Sequence, residues 1–106
     1  MLKTSDKQGK NSPSRLTNAA ELMKVLSHPL RLSILCNLIH HGEMTAGEIV
    51  AAETVHASQS QTSQYRGILR EMGYVKTRRE GQVIHYSISD KYVNTVVETL
   101  YGIYCE

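Results

Sequence analysis

The sequence contains no tryptophan and no phenylalanine, so an aliphatic core is expected, with six tyrosines supplying the aromatic rings. Its two cysteines, Cys36 and Cys105, are too few for a secreted disulfide scaffold, and we expect both to be thiols. No apolar run approaches the roughly 18 residues of a membrane span, and no signal-peptide segment is recognisable. These absences predict a cytoplasmic protein, and 106 residues suffice for one domain.

The charges are unevenly distributed, although the net charge of +2 says little about binding partners. Residues 58–86 carry five basic residues against two acidic ones, and residues 1–15 carry four against one. The segments 16–57 and 87–106 are each net negative. Positive charge is thus concentrated in two segments, where contacts with nucleic-acid phosphates would require it.

Residues 57–74 are predicted to form one helix that docks on a core. Ser58 is a suitable N-cap because its hydroxyl can accept free amides of the first turn, and Gly73 is a suitable stop. Apolar residues with helical spacing form the docked stripe, namely Tyr65, Ile68, Leu69 and Met72.

The first two turns of this helix consist almost entirely of hydroxyl and amide side chains. Such residues favour helices only moderately, but they can hydrogen-bond to base edges and phosphates in a DNA major groove. A polar, solvated helix start is the alternative interpretation. The candidate DNA-binding residues of this helix are Ser58, Gln59, Ser60, Ser63, Gln64, Arg66 and Arg70.

A β-hairpin is predicted directly after the helix, with strands over residues 75–80 and 82–88. Glu80-Gly81 supplies the turn, and Arg78, Arg79 and Gln82 surround it. A polar-fronted helix followed by a hairpin with a basic tip is typical of a winged helix-turn-helix domain, in which the wing contacts DNA beside the groove. The alternative for the tip is an ordinary charged turn.

The remaining segments complete a mainly α fold of order α-α-α-α-β-β-α. Residues 1–15 are expected to form a flexible basic arm, and residues 16–106 a DNA-binding and dimerisation domain. We expect a first helix over 16–26, capped by Thr17, and a second helix that Pro29 starts and that continues over 30–40. A third helix over 46 to about 53 should have Thr45 and Glu48 in a capping box. Expected core-facing positions are Ala19, Ala20, Met23 and Leu26 on the first helix, Leu32, Leu35, Cys36 and Ile39 on the second, and Ile49 and Val50 on the third.

A last helix, capped by Ser89 or Asp90, should continue to about Tyr104. Its apolar face is too wide for one small domain to cover, and it comprises Tyr92, Val93, Val96, Val97, Leu100, Ile103 and Tyr104. Exposed apolar faces of this kind mark interfaces. We therefore expect a homodimer built from the first and last helices, with two recognition helices about one DNA turn apart.

With its elements in this order, the chain resembles the ArsR/SmtB family of bacterial winged-helix repressors over residues 16–105. The resemblance is carried by the segments 26–35 (LSHPLRLSIL), 58–64 (SQSQTSQ), 73–75 (GYV) and 78–81 (RREG). It implies a dimeric repressor that binds double-stranded operator DNA and is not an enzyme. Tyr65 and Arg66 depart from the family pattern, which usually has a histidine and an apolar residue there, and Thr54-Val55-His56 resembles an extra piece of turn.

Metal-sensor patterns of the family are missing from the sequence. The third helix lacks a Cys-x-Cys pair, and no histidine follows Asp90. The five histidines show no ligand spacing beyond the adjacent pair His40-His41, whose side chains would diverge by about 100° on a helix. We expect no metal and no other cofactor.

The two cysteines resemble those of the BigR, SqrR and HlyU branch of the family. There, one thiol on the second helix and one closing the last helix respond to persulfides or oxidants. By this resemblance Cys36 and Cys105 are candidate sensor thiols, whose linkage by a disulfide or polysulfide would release DNA. Alternatives remain: a winged-helix repressor without a covalent sensor, and a winged-helix module for protein interaction. A thiol oxidoreductase is disfavoured because the chain has no Cys-x-x-Cys motif and no βαβ pattern.

Overall fold

The computed structural model describes residues 12–104. The predicted order of elements is confirmed, with one additional short strand. The elements are α1 (Ser12–Leu26), α2 (Pro29–His41), β1 (Met44–Thr45), α3 (Ala46–Ala52), α4 (Gln59–Glu71), β2 (Val75–Glu80), β3 (Val83–Ile88) and α5 (Lys91–Tyr104). Most of the predicted arm, residues 1–11, and the candidate thiol Cys105 lie outside the described residues.

The strands form one antiparallel sheet in the order β1-β3-β2. The hairpin is in register from Val75 opposite Ile88 to Glu80 opposite Val83, and Gly81 makes the turn with a φ of +65°. Strand β1 is only two residues long, with Met44 opposite Tyr86. It pairs with the middle of β3 and so joins the hairpin to the segment between α2 and α3.

Helix α2 lies at the centre of the core. Its most buried residues are Leu30, Ile34, Leu35 and Leu38, of which Leu35 is fully inaccessible to solvent. The predicted stripe of Leu32, Leu35, Cys36 and Ile39 was only partly right, because the other three are half-buried at the margin of the core. Core residues from other elements include Ile49, Leu69, Val75, Tyr86, Val93 and Val97.

Helix α1 differs from the prediction in its start and in its buried face. It begins at Ser12 instead of Leu16, so Thr17 lies inside the helix and is not its cap. Leu22, Val25 and Leu26 are buried, whereas the predicted core positions Ala19, Ala20 and Met23 are exposed. On α3, Ile49 is buried as expected, but Val50 is only half-buried.

The starts of α3 and α5 are capped by residues that the sequence predicted. The Thr45 hydroxyl accepts the Glu48 amide at 3.1 Å, and the Glu48 carboxylate accepts the Thr45 amide at 2.9 Å. Oδ1 of Asp90 accepts the amides of Tyr92 and Val93 at the start of α5. These contacts satisfy amides that a helix start would otherwise leave unpaired.

No single helix among residues 12–104 is long and apolar enough to cross a membrane. Together α1 and α2 would meet those criteria, but they are bent by 97° where they join.

Candidate nucleic-acid interface

Helix α4 presents a polar outer face and is held by a buried inner face. On the inner side Leu69 is fully buried, and Tyr65, Ile68 and Met72 are half-buried, as the apolar stripe predicted. On the outer side the side chains of Gln59, Ser60, Gln64 and Arg70 are exposed, and Ser63 is half-buried. None of these five outer residues makes a side-chain hydrogen bond with another residue of the described part of the chain. Their amides, hydroxyls and guanidinium are therefore available to an external partner.

Ser58 has a structural role at the start of α4. Its hydroxyl accepts the Gln61 amide at 3.1 Å, and Oε1 of Gln61 accepts the Ser58 amide at 3.3 Å. This capping box occupies the acceptor function of Ser58, although its hydroxyl proton remains available. The first turn of α4 carries no acidic side chain that would repel an anion.

Thr62 is a buried residue of α4 that sequence reasoning missed. It is fully buried, and its hydroxyl has no hydrogen-bond partner among the described residues. A run of Ser, Thr and Gln gave no sign that this one position points inward. The neighbouring apolar stripe gives the signal, because Thr62 lies three positions before Tyr65 and seven before Leu69.

Arg66, one of the predicted DNA-binding residues, is directed towards the wing. Its Nε donates a 3.0 Å hydrogen bond to the Tyr86 hydroxyl on β3, and its guanidinium carbon lies 5.2 Å from the centre of the Tyr86 ring. Tyr86 is buried, so this contact ties the middle of α4 to the inner strand of the hairpin.

Arg78, also predicted to bind DNA, is engaged in ion pairs on the wing. Its Nη2 and Nε donate to the two carboxylate oxygens of Glu43 at 2.9 and 3.2 Å, a bidentate pair. The hydrogen bond from Arg78 lowers the pKa of Glu43, and the same bond raises the pKa of Arg78. His85 lies between two carboxylates, with Nε2 3.1 Å from Glu80 and Nδ1 3.8 Å from Glu43.

Arg79 and Gln82 occupy the wing tip in a different way. Both are exposed, and neither makes a side-chain hydrogen bond or ion pair within residues 12–104. Of the three predicted wing residues, Arg78 therefore forms an internal ion pair. Arg79 and Gln82 leave their polar groups available to an external partner.

A second contact missed by sequence reasoning links α4 to the start of α2. Nδ1 of His28 accepts the Leu30 amide at 3.3 Å, so the ring proton of a neutral His28 lies on Nε2. That nitrogen is 3.1 Å from the Tyr65 hydroxyl, and the Arg31 guanidinium lies 5.1 Å from the centre of the Tyr65 ring. Tyr65, which departs from the family pattern, therefore connects α4 to the start of α2.

The candidate sensor thiol Cys36 is half-buried on α2 and packs against the core. Four positions further along α2, Nδ1 of His40 is 2.7 Å from the hydroxyl of Tyr101 on α5. The second candidate thiol, Cys105, lies outside the described residues. Within residues 12–104 no three His, Cys, Asp or Glu side chains are grouped as a metal site would require.

Comparison with known proteins identifies the family. Residues 28–77 match the family described as "Bacterial regulatory protein, arsR family". Over 91 residues the chain is 41% identical to the "Biofilm growth-associated repressor" of Agrobacterium fabrum, a match covering 86% of this chain and 75% of that protein. The chain belongs to the ArsR family.

Solved structures of other ArsR-type regulators share the fold of this ArsR-family chain. The transcriptional repressor BigR from Xylella fastidiosa matches with a TM-score of 0.73 and 37% identity, over 92% of this chain and 96% of BigR. Reduced HlyU from Vibrio cholerae matches with a TM-score of 0.76 and 32% identity, over 91% and 99% of the two chains. The predicted family and winged helix-turn-helix fold are confirmed, and the chain is a transcriptional regulator and not an enzyme.

Proposed function

We propose that this ArsR-type regulator is a homodimeric repressor that binds operator DNA through α4 and the wing and releases it when Cys36 and Cys105 become linked. The observation that carries DNA binding is the set of unengaged side chains on the outer face of α4. Amides and hydroxyls there have no side-chain hydrogen-bond partner among the described residues, whereas Tyr65 and Arg66 of the same helix contact His28 and Tyr86. The relative from Agrobacterium fabrum is itself named a repressor.

The candidate residues divide into three roles in this proposal. Gln59, Ser60, Ser63 and Gln64 read base edges, because amides and hydroxyls can pair with the donors and acceptors of the major groove. Arg70, Arg79 and Gln82 contact the phosphate backbone or the flanking minor groove. Ser58, Arg66 and Arg78 orient the reading elements, as their internal hydrogen bonds indicate.

The homodimer is supported by apolar side chains that the monomer leaves uncovered. Leu16 and Met23 on α1 are 51% and 63% exposed, and Tyr92, Ile103 and Tyr104 on α5 are 71%, 65% and 79% exposed. Burial of these side chains against a second copy would remove apolar surface from water and so stabilise a dimer. Light scattering at micromolar concentration should give twice the mass of 11.9 kDa, and a monomer would refute this part of the proposal.

The sensing chemistry is supported by the resemblance of the thiol pair to the BigR and HlyU branch. Two persulfide molecules would each transfer one sulfur to the Cys36 chain, releasing two thiols, and the Cys105 thiolate would then displace hydrogen sulfide to close a trisulfide. With hydrogen peroxide the same two thiols would give a disulfide and two molecules of water. Either bridge would link the central helix α2 to the sequence that follows α5.

DNA selection tests the binding half of this function. Wild-type protein would be used to enrich DNA from a random pool, and binding to the enriched site would be measured against salt concentration. A specific site with a steep salt dependence is expected. The absence of any DNA affinity would favour a protein-interaction module instead.

Mass spectrometry tests the sensing half. The protein would be treated separately with a persulfide donor, hydrogen peroxide and glutathione disulfide, and the masses of peptides containing the two cysteines would be determined. A cross-linked pair is expected. Unchanged thiols under all three treatments would favour an ArsR-type repressor without a covalent sensor.

A further inference from the structure

Glu53 is the most deeply buried charged residue of the described chain, with 1% of its surface exposed. It lies at the C-cap of α3, immediately before the turn that leads into α4. Glutamate is almost never fully buried unless it is paired, because burial of an unsatisfied carboxyl group is costly. Among residues 12–104, however, no basic side chain forms an ion pair with it.

Among the described residues, the carboxyl group of Glu53 accepts hydrogen bonds only from α2. The Ser33 hydroxyl lies 3.0 and 2.8 Å from the two oxygens and shares its single proton between them, and the Asn37 amide donates to Oε2 at 2.8 Å. Ser33 and Asn37 are one helical turn apart, so they form a two-point attachment on one face of α2. An apolar side chain of similar size would avoid the cost of desolvating a carboxyl group. It would make no directional hydrogen bonds, however, and so could not fix the orientation of residue 53 relative to α2.

The main chain of Glu53 holds the turn that precedes the recognition helix. Its carbonyl oxygen accepts the amide of His56 at 3.0 Å and that of Ala57 at 2.9 Å. Ala57 is followed at once by Ser58, whose capping box starts α4. Glu53 therefore contacts α2 through its side chain and the turn through its carbonyl oxygen. Through this turn it is connected to the first turn of α4.

We propose that Glu53 is a positioning residue that sets the angle of α4 relative to α2 and thereby the preference for operator over random DNA. The proposal rests on the DNA-binding function proposed above. Base readout requires side chains to be placed within hydrogen-bonding distance, whereas phosphate contacts tolerate small rotations. A loosened α4 should therefore lose sequence discrimination first and keep its electrostatic affinity.

Two substitutions of Glu53 and one matched control test the role. Glu53→Met removes every acceptor while keeping a side chain of similar length, and Glu53→Gln replaces one acceptor by a donor. We expect Glu53→Met to weaken binding to the selected operator about tenfold, and binding to random DNA less than about twofold. Glu98→Gln makes the same charge change as Glu53→Gln at an exposed site on α5, and it should leave the ratio of the two affinities unchanged.

The donors on α2 provide a second test that leaves Glu53 in place. Ser33→Ala and Asn37→Ala affect half-buried side chains, and each should lower the ratio of operator to random-DNA affinity in a protein whose melting is cooperative. If Glu53→Met does not fold, these two variants decide the question. Folded variants with the wild-type ratio, or loss of folding in every one of them, would overturn the positioning role. A wild-type protein that selects no DNA sequence would instead refute the DNA-binding function itself.

Discussion

The hydroxyl of Tyr101 lies 2.7 Å from Nδ1 of His40 and connects α5 to the last turn of α2. His40 follows the candidate thiol Cys36 by four positions, and Tyr101 precedes Cys105 by four. The contact thus joins the two segments of the sequence that carry the candidate thiols, four positions from each cysteine. This hydrogen bond helps to hold α2 and α5 together without any bridge between the thiols.

Tyr101→Phe removes this hydrogen bond and keeps the ring. We expect the free energy of unfolding to fall by about 0.5–1 kcal/mol, because the bond is partly solvated, and we expect a slower formation of the Cys36–Cys105 bridge. Thermal unfolding and timed thiol trapping would measure the two effects. Tyr104→Phe is the matched control, since Tyr104 is 79% exposed on the same helix. Equal bridging rates for both variants would remove the contact from the sensing mechanism.

Gln64→Ala and Arg79→Ala should separate base reading from phosphate contact. Gln64→Ala should weaken binding to the operator by about 1–3 kcal/mol and have little effect on random DNA, because an amide pairs with base edges. Arg79→Ala should weaken binding to both and reduce the slope of the salt dependence. Gel-shift titrations at several salt concentrations measure these effects, with Ser60→Ala expected to resemble Gln64→Ala. An equal loss on all sequences for Gln64→Ala would exclude it from base readout.

The elements of this interface were predictable because their signals are local. The polar start and apolar stripe of α4, its cap at Ser58 and the alternating strands of the wing each occupy a few consecutive residues. The ion pair of Arg78 with Glu43 and the hydrogen bond of Arg66 to Tyr86 span 35 and 20 positions, and no local pattern encodes them. For the same reason the sequence could not show that Arg66 and Arg78, both predicted to bind DNA, form hydrogen bonds within the protein.

The wrong face predicted for α1 and the unpredicted burial of Glu53 and Thr62 have a different cause. Helix α1 carries two candidate apolar stripes, and only docking on α2 selects Leu22 and Val25 over Ala19 and Met23. Glu53 and Thr62 are polar types that are usually exposed, so their burial follows from the packing of neighbouring elements. Strand β1 is two residues long and was missed because so short a segment has no periodicity.

The wing should loosen in acid because of Glu43. Hydrogen bonding to Arg78 lowers the pKa of Glu43 below its ordinary value of 4.5, so the ion pair stabilises the wing fully above pH 4.5 and is lost as the pH falls through the lowered pKa. Hydrogen exchange of amides in β2 and β3 across this range would detect the change. In Glu43→Gln the wing amides should exchange faster at neutral pH, and their acid-induced change should be smaller. An identical pH profile in both proteins would show that other carboxyls dominate.

Thr62→Val should stabilise the protein. The Thr62 hydroxyl is buried without a partner among the described residues, and valine has nearly the same shape without the polar group. The gain in the free energy of unfolding should be about 1 kcal/mol, within the usual cost of an unsatisfied buried group. Denaturant unfolding would measure it, and Thr17→Val serves as the control, because Thr17 is exposed and its hydroxyl makes no hydrogen bond with another described residue. Destabilisation by Thr62→Val would imply a hydrogen bond that the folded protein makes there.

The identity of the effective oxidant should follow from the separation of the two thiols. A strain-free disulfide requires Cα atoms about 4.4–6.8 Å apart, and each inserted sulfur lengthens the bridge by up to about 2 Å. Because packed helix axes lie roughly 8–10 Å apart, we expect a thiol on α2 and one following α5 to be neighbours that a single disulfide joins only with strain. Persulfide donors should therefore form a polysulfide bridge within one protomer faster than peroxide forms a disulfide.

Cysteine variants and timed mass spectrometry would test this oxidant preference. Cys36→Ser and Cys105→Ser should each bind operator DNA like the wild type and fail to release it after persulfide treatment. The bridged wild-type peptide should carry one or more sulfurs beyond the two cysteine sulfurs, and reduction should restore DNA binding. Release by either single variant would exclude the thiol pair as the sensor. Equal rates with peroxide, or a Cα separation near 5.5 Å in the reduced protein, would keep the switch but remove its preference for persulfide.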